Sequence, residues 1–163
     1  MVLDVLAKRI DAKFKSHKAG AQVAEGKLGS SKIICAKSNG YMNTSGGPTA
    51  ALLKFYDLQP EQLIVIHDEL DIDFSQLKIK FSGGHAGHNG LRSIISAIGK
   101  DFIRIRFGVG RPPGQQDPAD FVLNNFSSTE KKELDVLLEL SADMVETILA
   151  EGLTAAQQKY HSA

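Results

Sequence analysis

The segment Leu63-Ile64-Val65-Ile66-His67-Asp68-Glu69-Leu70-Asp71 runs four consecutive aliphatic residues into an acidic stretch that holds one histidine. A strand wetted on one side alternates apolar and polar residues. An unbroken aliphatic run instead suits a strand covered on both faces, as in parallel sheets packed between helices. Such a strand calls for an α/β fold. In open α/β sheets ligands gather outside the carboxyl ends of the strands, which makes Asp68 a candidate site residue. A carboxylate there can orient an imidazole and stabilise its protonated form, as at other acyl-transfer sites. The plainer role is a loop carboxylate capping a neighbouring helix.

Working outward, the chain alternates helical and extended patterns. Residues 1–14 place Val2, Leu3, Leu6 and Ile10 on one helical face, with no capping residue before them, so the chain is expected to begin inside a helix. Residues 22–28 and 32–36 read as strands joined by Gly29-Ser30-Ser31 into a hairpin. A helix from about Gly47 carries Pro48 in its first turn and is expected to face Ala51, Leu52 and Phe55 to the core. Residues 77–81 alternate apolar and basic, residues 89–98 form a helix stopped by Gly99, and residues 102–109 alternate again. Lys78 and Lys80 share one strand face, as do Arg104 and Arg106. Pro112, Pro113, Gly114 and Pro118 define a loop. Ser127 with Glu130 suggests a capping box before a long amphipathic helix that ends at Gly152, with a last short helix from Thr154.

A length of 163 residues fits one domain around one core, residues 1–163. A hydrophobic fraction of 42% and a charged fraction of 23% are those of an ordinary globular chain rather than a disordered one. The single cysteine, Cys35, cannot form an internal disulfide and lies in an apolar run, which fits a buried thiol in a reducing cytoplasm. No apolar run approaches the roughly 18 residues that cross a bilayer, and the first ten residues are amphipathic rather than a signal peptide. Net charge is zero, yet the charges are sorted: residues 78–111 hold seven basic residues opposed only by Asp101, whereas residues 117–151 are predominantly acidic. One region could meet phosphate while the other repels it.

Two further segments carry polar chemistry next to apolar patterns. Ser82-Gly83-Gly84-His85-Ala86-Gly87-His88-Asn89-Gly90-Leu91 is a glycine-rich bend before a helix, open to close approach by an anion or an extended ligand. It lacks the Gly-x-Gly-x-x-Gly and Gly-Lys-Ser/Thr spacings of nucleotide loops. A zinc site would draw on His85, His88, His67 and Asp68, but no cysteine pair or His-Glu-x-x-His helix is present, and no metal is expected. Tyr41-Met42-Asn43-Thr44-Ser45-Gly46 lies between a strand and a helix. The amides of Asn43 and Asn89 each offer a donor and an acceptor, which could hold a substrate backbone or an attacking water; at a turn, asparagine also serves turn chemistry alone.

Taken together, YMNTSG, HDELD and GGHAGHNGL, followed by FIRIRFGVGRP and FVLNNF, resemble bacterial-type peptidyl-tRNA hydrolase over essentially the whole chain. The resemblance implies a single α/β domain with a twisted mixed sheet flanked by helices. It also implies cleavage of the ester between peptide and tRNA without metal or organic cofactor, by a cytoplasmic monomer whose partner is peptidyl-tRNA. By matching motif, Asp68 resembles the aspartate that supports the catalytic histidine, and Asn43 and Asn89 resemble the asparagines that bind substrate and position water. Tyr41, Met42, Gly87 and His88 would line the groove. Lys78, Lys80 and Arg106 resemble the cations that hold tRNA phosphate.

The departure lies at the start. Family members begin with a strand, a Gly-x-Asn-Pro-Gly loop and an Arg-His-Asn segment whose histidine is the general base, and this sequence contains none of them. A positioned base is worth roughly 10²–10⁴ in rate, and an unshifted carboxylate is too weak to replace it. The expectation is therefore an N-terminally incomplete chain with little or no activity of its own. Two other classes are open: a noncatalytic RNA-binding protein on the same fold, and a small-molecule or metal-binding α/β protein.

Overall fold

The computed structural model describes residues 2–38, 45–69, 77–85, 88–108 and 128–161, with the side chains at 38, 68, 69, 107, 108, 128–135 and 161 left out. Tyr41, Met42, Asn43, Gly87, the proline loop at 112–118 and the Ser127–Glu130 capping box lie outside this description, as does the side chain of Asp68. The chain divides into two compact units. One comprises Leu3–Val65 with Phe81–Ile103, and the other Met1–Val2, Ile66–Lys80 and Arg104–Ala163.

Helix α1 spans Val2–Arg9, and its residues from Leu3 on belong to the first unit. Leu6 and Ile10 are buried on the face that the apolar spacing marks out. The helix is shorter than the expected 14 residues. Asp11 takes a left-handed φ of 53°, while the amides of Ala12 and Asp11 return to the carbonyls of Ala7 and Lys8, a Schellman ending with aspartate in the usual place of glycine. Asp57 repeats the device after helix α2 (Gly46–Phe55), with φ 54° and the amides of Leu58 and Asp57 bonded to Leu53 and Lys54.

Strands β1 (Lys15–His17), β2 (Ala21–Leu28) and β3 (Ser31–Ser38) form an antiparallel sheet in the order β1-β2-β3. Leu28 pairs with Ser31, so the hairpin loop is the two residues Gly29-Ser30, with Gly29 at φ 63°; Ser31 already belongs to the strand. Gly26 lets the strand pass beneath α1, because a Cβ there would lie 2.9 Å from Ile10 Cβ. Helix α2 corrects the expected facing. Gly46 and Leu53 are buried and Leu52 is half-buried, whereas Ala51 is exposed and Phe55 is 52% exposed. The Phe55 ring is covered by its neighbours instead, edge-on to His17 at 4.6 Å and to Tyr56 at 4.9 Å.

A 3-10 turn at Pro60–Gln62 leads to β4 (Ile64–Glu69), followed by β5 (Leu77–Phe81), α3 (Asn89–Ile98) and β6 (Ile103–Gly108). These strands form a second sheet in the order β4-β6-β5. The fold is α/β as expected, but the described strands make two three-stranded sheets rather than one. The outer edge of β2 is taken by β1, a Lys-Ser-His strand with no apolar pattern to announce it. The aliphatic run of β4 is also less enclosed than anticipated, with Ile64, Val65 and Ile66 half-buried. Leu91 and Ile94 of α3 pack with Phe102, and Leu63, Val65, Ile95 and Ile98 gather around them.

In the second unit, α4 (Ser128–Glu151) buries Leu137, Met144, Val145 and Ile148, and Gly152 at φ 94° separates it from α5 (Leu153–His161). Tyr160 of α5 meets Thr147 of α4, hydroxyl to hydroxyl, at 3.2 Å. No helix among the described residues is long and apolar enough to cross a membrane.

Cys35 sits on β3 opposite Ala24, 4% exposed, and burial pushes its thiol up from an ordinary 9.0 to about 11. The thiol should resist alkylation in the native state at pH 8. Above pH 9 the unfolded thiol ionises while the folded one stays neutral. This group's contribution to stability, complete below pH 9, should then fall by about 2–3 kcal/mol as pH rises to about 11. Urea unfolding of the parent and of Cys35→Ala between pH 8 and 11 measures that difference in slope.

Candidate functional site

The glycine-rich bend starts with Ser82 at φ 64° and Gly83 at φ 110°. Ser82 is fixed twice, by its amide to the Phe102 carbonyl at 3.0 Å and by its hydroxyl to Asp101 Oδ1 at 3.1 Å. At the other end, the His88 amide donates to the His85 carbonyl at 2.8 Å, and His88 becomes the N-cap of α3. Its Nδ1 accepts the Leu91 amide at 3.1 Å, the task that Ser, Thr, Asp or Asn usually performs. The neutral ring therefore carries its proton on Nε2. Asn89 follows as the first residue of α3, with an exposed side chain.

Helix α2 meets α3 close to this point. The amide of Gly46 donates to Ser93 Oγ at 2.8 Å, and Gly46 itself is buried. Ser93 lies four residues beyond Asn89, on the same helical face. Gly46, the first residue of α2, is thus held against the helix that Asn89 begins.

The second sheet carries the other candidates. Asp68 is on β4 directly after His67, whose side chain is buried. Arg106 is half-buried on the central strand β6, and Lys78 and Lys80 are exposed on β5 while Leu77 and Ile79 turn inward. The alternation expected for β5 is therefore present. On β6 the expected pairing of Arg104 with Arg106 divides: Arg104 is 2% exposed, and burial, then the charge of Arg106, lowers its pKa. Gln157 of α5 donates to the Ile79 carbonyl at 3.2 Å, between the two lysines. Neither Ser93 nor Gln157 was singled out from sequence. Ser93 could have been found from its helical spacing to Asn89, whereas no local pattern pairs Gln157 with β5.

Among the described residues, no three His, Cys, Asp or Glu side chains group as a metal site would require.

The cap makes a direct prediction. His88→Ala should cost about 1 kcal/mol of stability in urea unfolding, and His88→Asn, which keeps an acceptor at the same place, should recover most of that loss.

A family model described as peptidyl-tRNA hydrolase matches residues 1–163. A peptidyl-tRNA hydrolase of Arthrobacter sp. (strain FB24) is 57% identical over 166 residues, covering 100% of this chain and 86% of the relative. That of Mycobacterium marinum is 52% identical over 164 residues, covering 99% and 86%. The crystal structure of peptidyl-tRNA hydrolase from Acinetobacter baumannii superposes with a TM-score of 0.89 at 29% identity, covering 98% of this chain and 82% of that one. The family match runs from residue 1 to residue 163 of this chain, which spans 86% of the length of the Arthrobacter relative. The chain belongs to the peptidyl-tRNA hydrolase family.

Proposed function

We propose that this chain hydrolyses the ester between a peptide and the terminal ribose of tRNA, recycling tRNA from abandoned translation. The match to that family along all 163 residues carries the reading. The chemistry is attack of water on an ester carbonyl. Asn43 and Asn89 supply amides that hold the peptidyl end and orient the water. Asp68 would orient an imidazole base and stabilise its protonated form; the Arg-His-Asn segment to which the family resemblance assigns that base is absent from residues 1–163, so slow turnover is expected of these residues alone. Tyr41, Met42, Gly87 and His88 line the groove. With Nδ1 engaged by the Leu91 amide, the His88 ring is committed to capping α3 and does not serve as the base.

Lys78, Lys80 and Arg106 hold tRNA phosphate. Their carriers β5 and β6 are neighbours in one sheet, and the lysine side chains are exposed. Recognition of this kind reads RNA shape rather than base sequence, and each phosphate neutralised releases counterions. The reading calls for no metal or organic cofactor. It places the protein in the cytoplasm as a monomer, which suits its single buried thiol.

Turnover of N-blocked aminoacyl-tRNA by this chain tests the proposal directly. RNA binding without turnover would favour a noncatalytic RNA-binding role instead. Lys80→Ala should weaken tRNA binding and reduce the slope of log affinity against log salt by about 1. In a form that also carries the family's Arg-His-Asn segment, Asp68→Ala should lower kcat while leaving tRNA affinity close to that of the parent. Titrations at several salt concentrations and single-turnover assays read the two effects separately.

A further inference from the structure

Phe55, in the last turn of α2, is the most exposed aromatic among the described residues. A lone ring at the surface is ordinary. This one is held in place by two others, with the His17 ring 4.6 Å away at 89° and the Tyr56 ring 4.9 Å away at 76°. His17 is fixed in turn, because its Nδ1 accepts the Ala19 amide at 3.0 Å and its carbonyl the Gly20 amide at 3.1 Å in the turn between β1 and β2. Tyr56 is tied to β2: burial, and then the Glu25 carboxylate that accepts its hydroxyl hydrogen bond, raise its pKa. The end of β1 and the end of α2 thus carry one platform of three rings, all within the first unit.

The surroundings of the platform are basic. Residues 12–20 hold three lysines and no acidic residue. Lys18 places its Nζ over the Phe55 ring, 5.0 Å from the centroid. Lys15 is exposed on the same face of β1 as His17, and Lys54 is exposed beside Phe55 in the last turn of α2. The acidic neighbours are Glu25, engaged by Tyr56, and Asp57, which stops the helix at φ 54°. A fixed, open ring among lysines matches the two halves of an unpaired nucleotide, a base with a π-face and a phosphate with a negative charge. An acidic peptide would satisfy the lysines and leave the ring without a role.

We propose that His17, Phe55 and Tyr56, with Lys15, Lys18 and Lys54, form a binding surface for an unpaired RNA strand, in which a base stacks on Phe55 and the adjoining phosphates meet the lysines. The choice of RNA rests on the peptidyl-tRNA reading above. The surface shares no residue with the groove or the phosphate contacts proposed there.

The test measures binding of a fluorescently labelled oligouridylate of about ten nucleotides, within the span that such surfaces cover, to the full chain and its variants. Phe55→Ala and Phe55→Leu should each weaken binding about tenfold, because leucine keeps apolar bulk but has no π-face, and Phe55→Trp should retain it. Lys18→Ala should reduce the slope of log affinity against log salt by about 0.7, and Lys80→Ala should leave oligouridylate binding unchanged. If urea unfolding shows that the alanine variant at 55 is not folded, the leucine variant and Lys18→Ala carry the comparison. Absence of oligouridylate binding overturns the surface, as does a loss in Lys80→Ala without one in Phe55→Leu. Equal displacement by a polyglutamate peptide of the same charge also overturns it, in favour of an acidic-peptide surface. Each of these results leaves the hydrolase reading intact, whereas oligouridylate binding through Phe55 without any turnover of N-blocked aminoacyl-tRNA removes that reading and keeps the surface.

Discussion

Strand β6 is the element on which the second sheet depends. It lies between β4 and β5, so its amides and carbonyls are shared with both neighbours, and Ile103, Arg104 and Ile105 are all buried. A buried strand must have its backbone groups satisfied, and pairing on both sides accomplishes this. The same pairing puts β4, with Asp68 at its far part, and β5, with Lys78 and Lys80, at fixed offsets from Arg106. Arg104 shows the constraint most clearly. Two arginines separated by two positions share a face by parity, yet one is enclosed and the other half-exposed. Enclosing a guanidinium is costly unless its donors are satisfied, so this position is under tighter demand than its exposed neighbours on β5.

Electrostatics then follows from placement rather than from total charge. The chain is neutral overall, and nothing in its sum would draw a polyanion. The charges are nevertheless sorted locally: Lys78 and Lys80 are exposed on β5, the outer described strand of its sheet, whose Ile79 carbonyl accepts from Gln157 of the last helix. An uncovered edge acceptor invites pairing with another chain. Occupying it leaves the two lysines as the outward feature of that strand.

Much of this was legible in sequence, and the losses have identifiable causes. Alternation over 77–81 foretold which residues of β5 turn inward, because period-two patterning is a direct consequence of the pleat. Helices α3 and α4 were legible from their apolar spacing and from Gly99 and Gly152 at their ends. The helix stops at Asp11 and Asp57 were not, since aspartate is a rarer occupant of the left-handed position than glycine. Strand β1 has no apolar signal, and Phe55 defeated the facing of α2 because an aromatic ring can be covered by surface neighbours as well as by a core. In the candidate site, Lys78, Lys80 and Arg106 could be placed from strand parity. The roles of His88 and Ser93 depend on contacts with backbone amides, one local and one across 47 residues, and composition encodes neither.

Glycine between a strand and a helix can mean a phosphate cradle, and histidine among glycines can mean a metal. In the glycine-rich bend several polar groups are committed to architecture: the Ser82 hydroxyl and amide hold the entry of β6, the His85 carbonyl receives the His88 amide, and His88 Nδ1 caps the helix. A helix N-terminus capped by its own preceding side chain has less free amide to offer an anion. What the bend presents outward is Asn89, exposed at the first position of α3 with both amide functions on one short side chain. Pinning the bend at both ends confines that amide without spending a charge or a metal on it. Such confinement narrows the range of positions that the Asn89 amide can take.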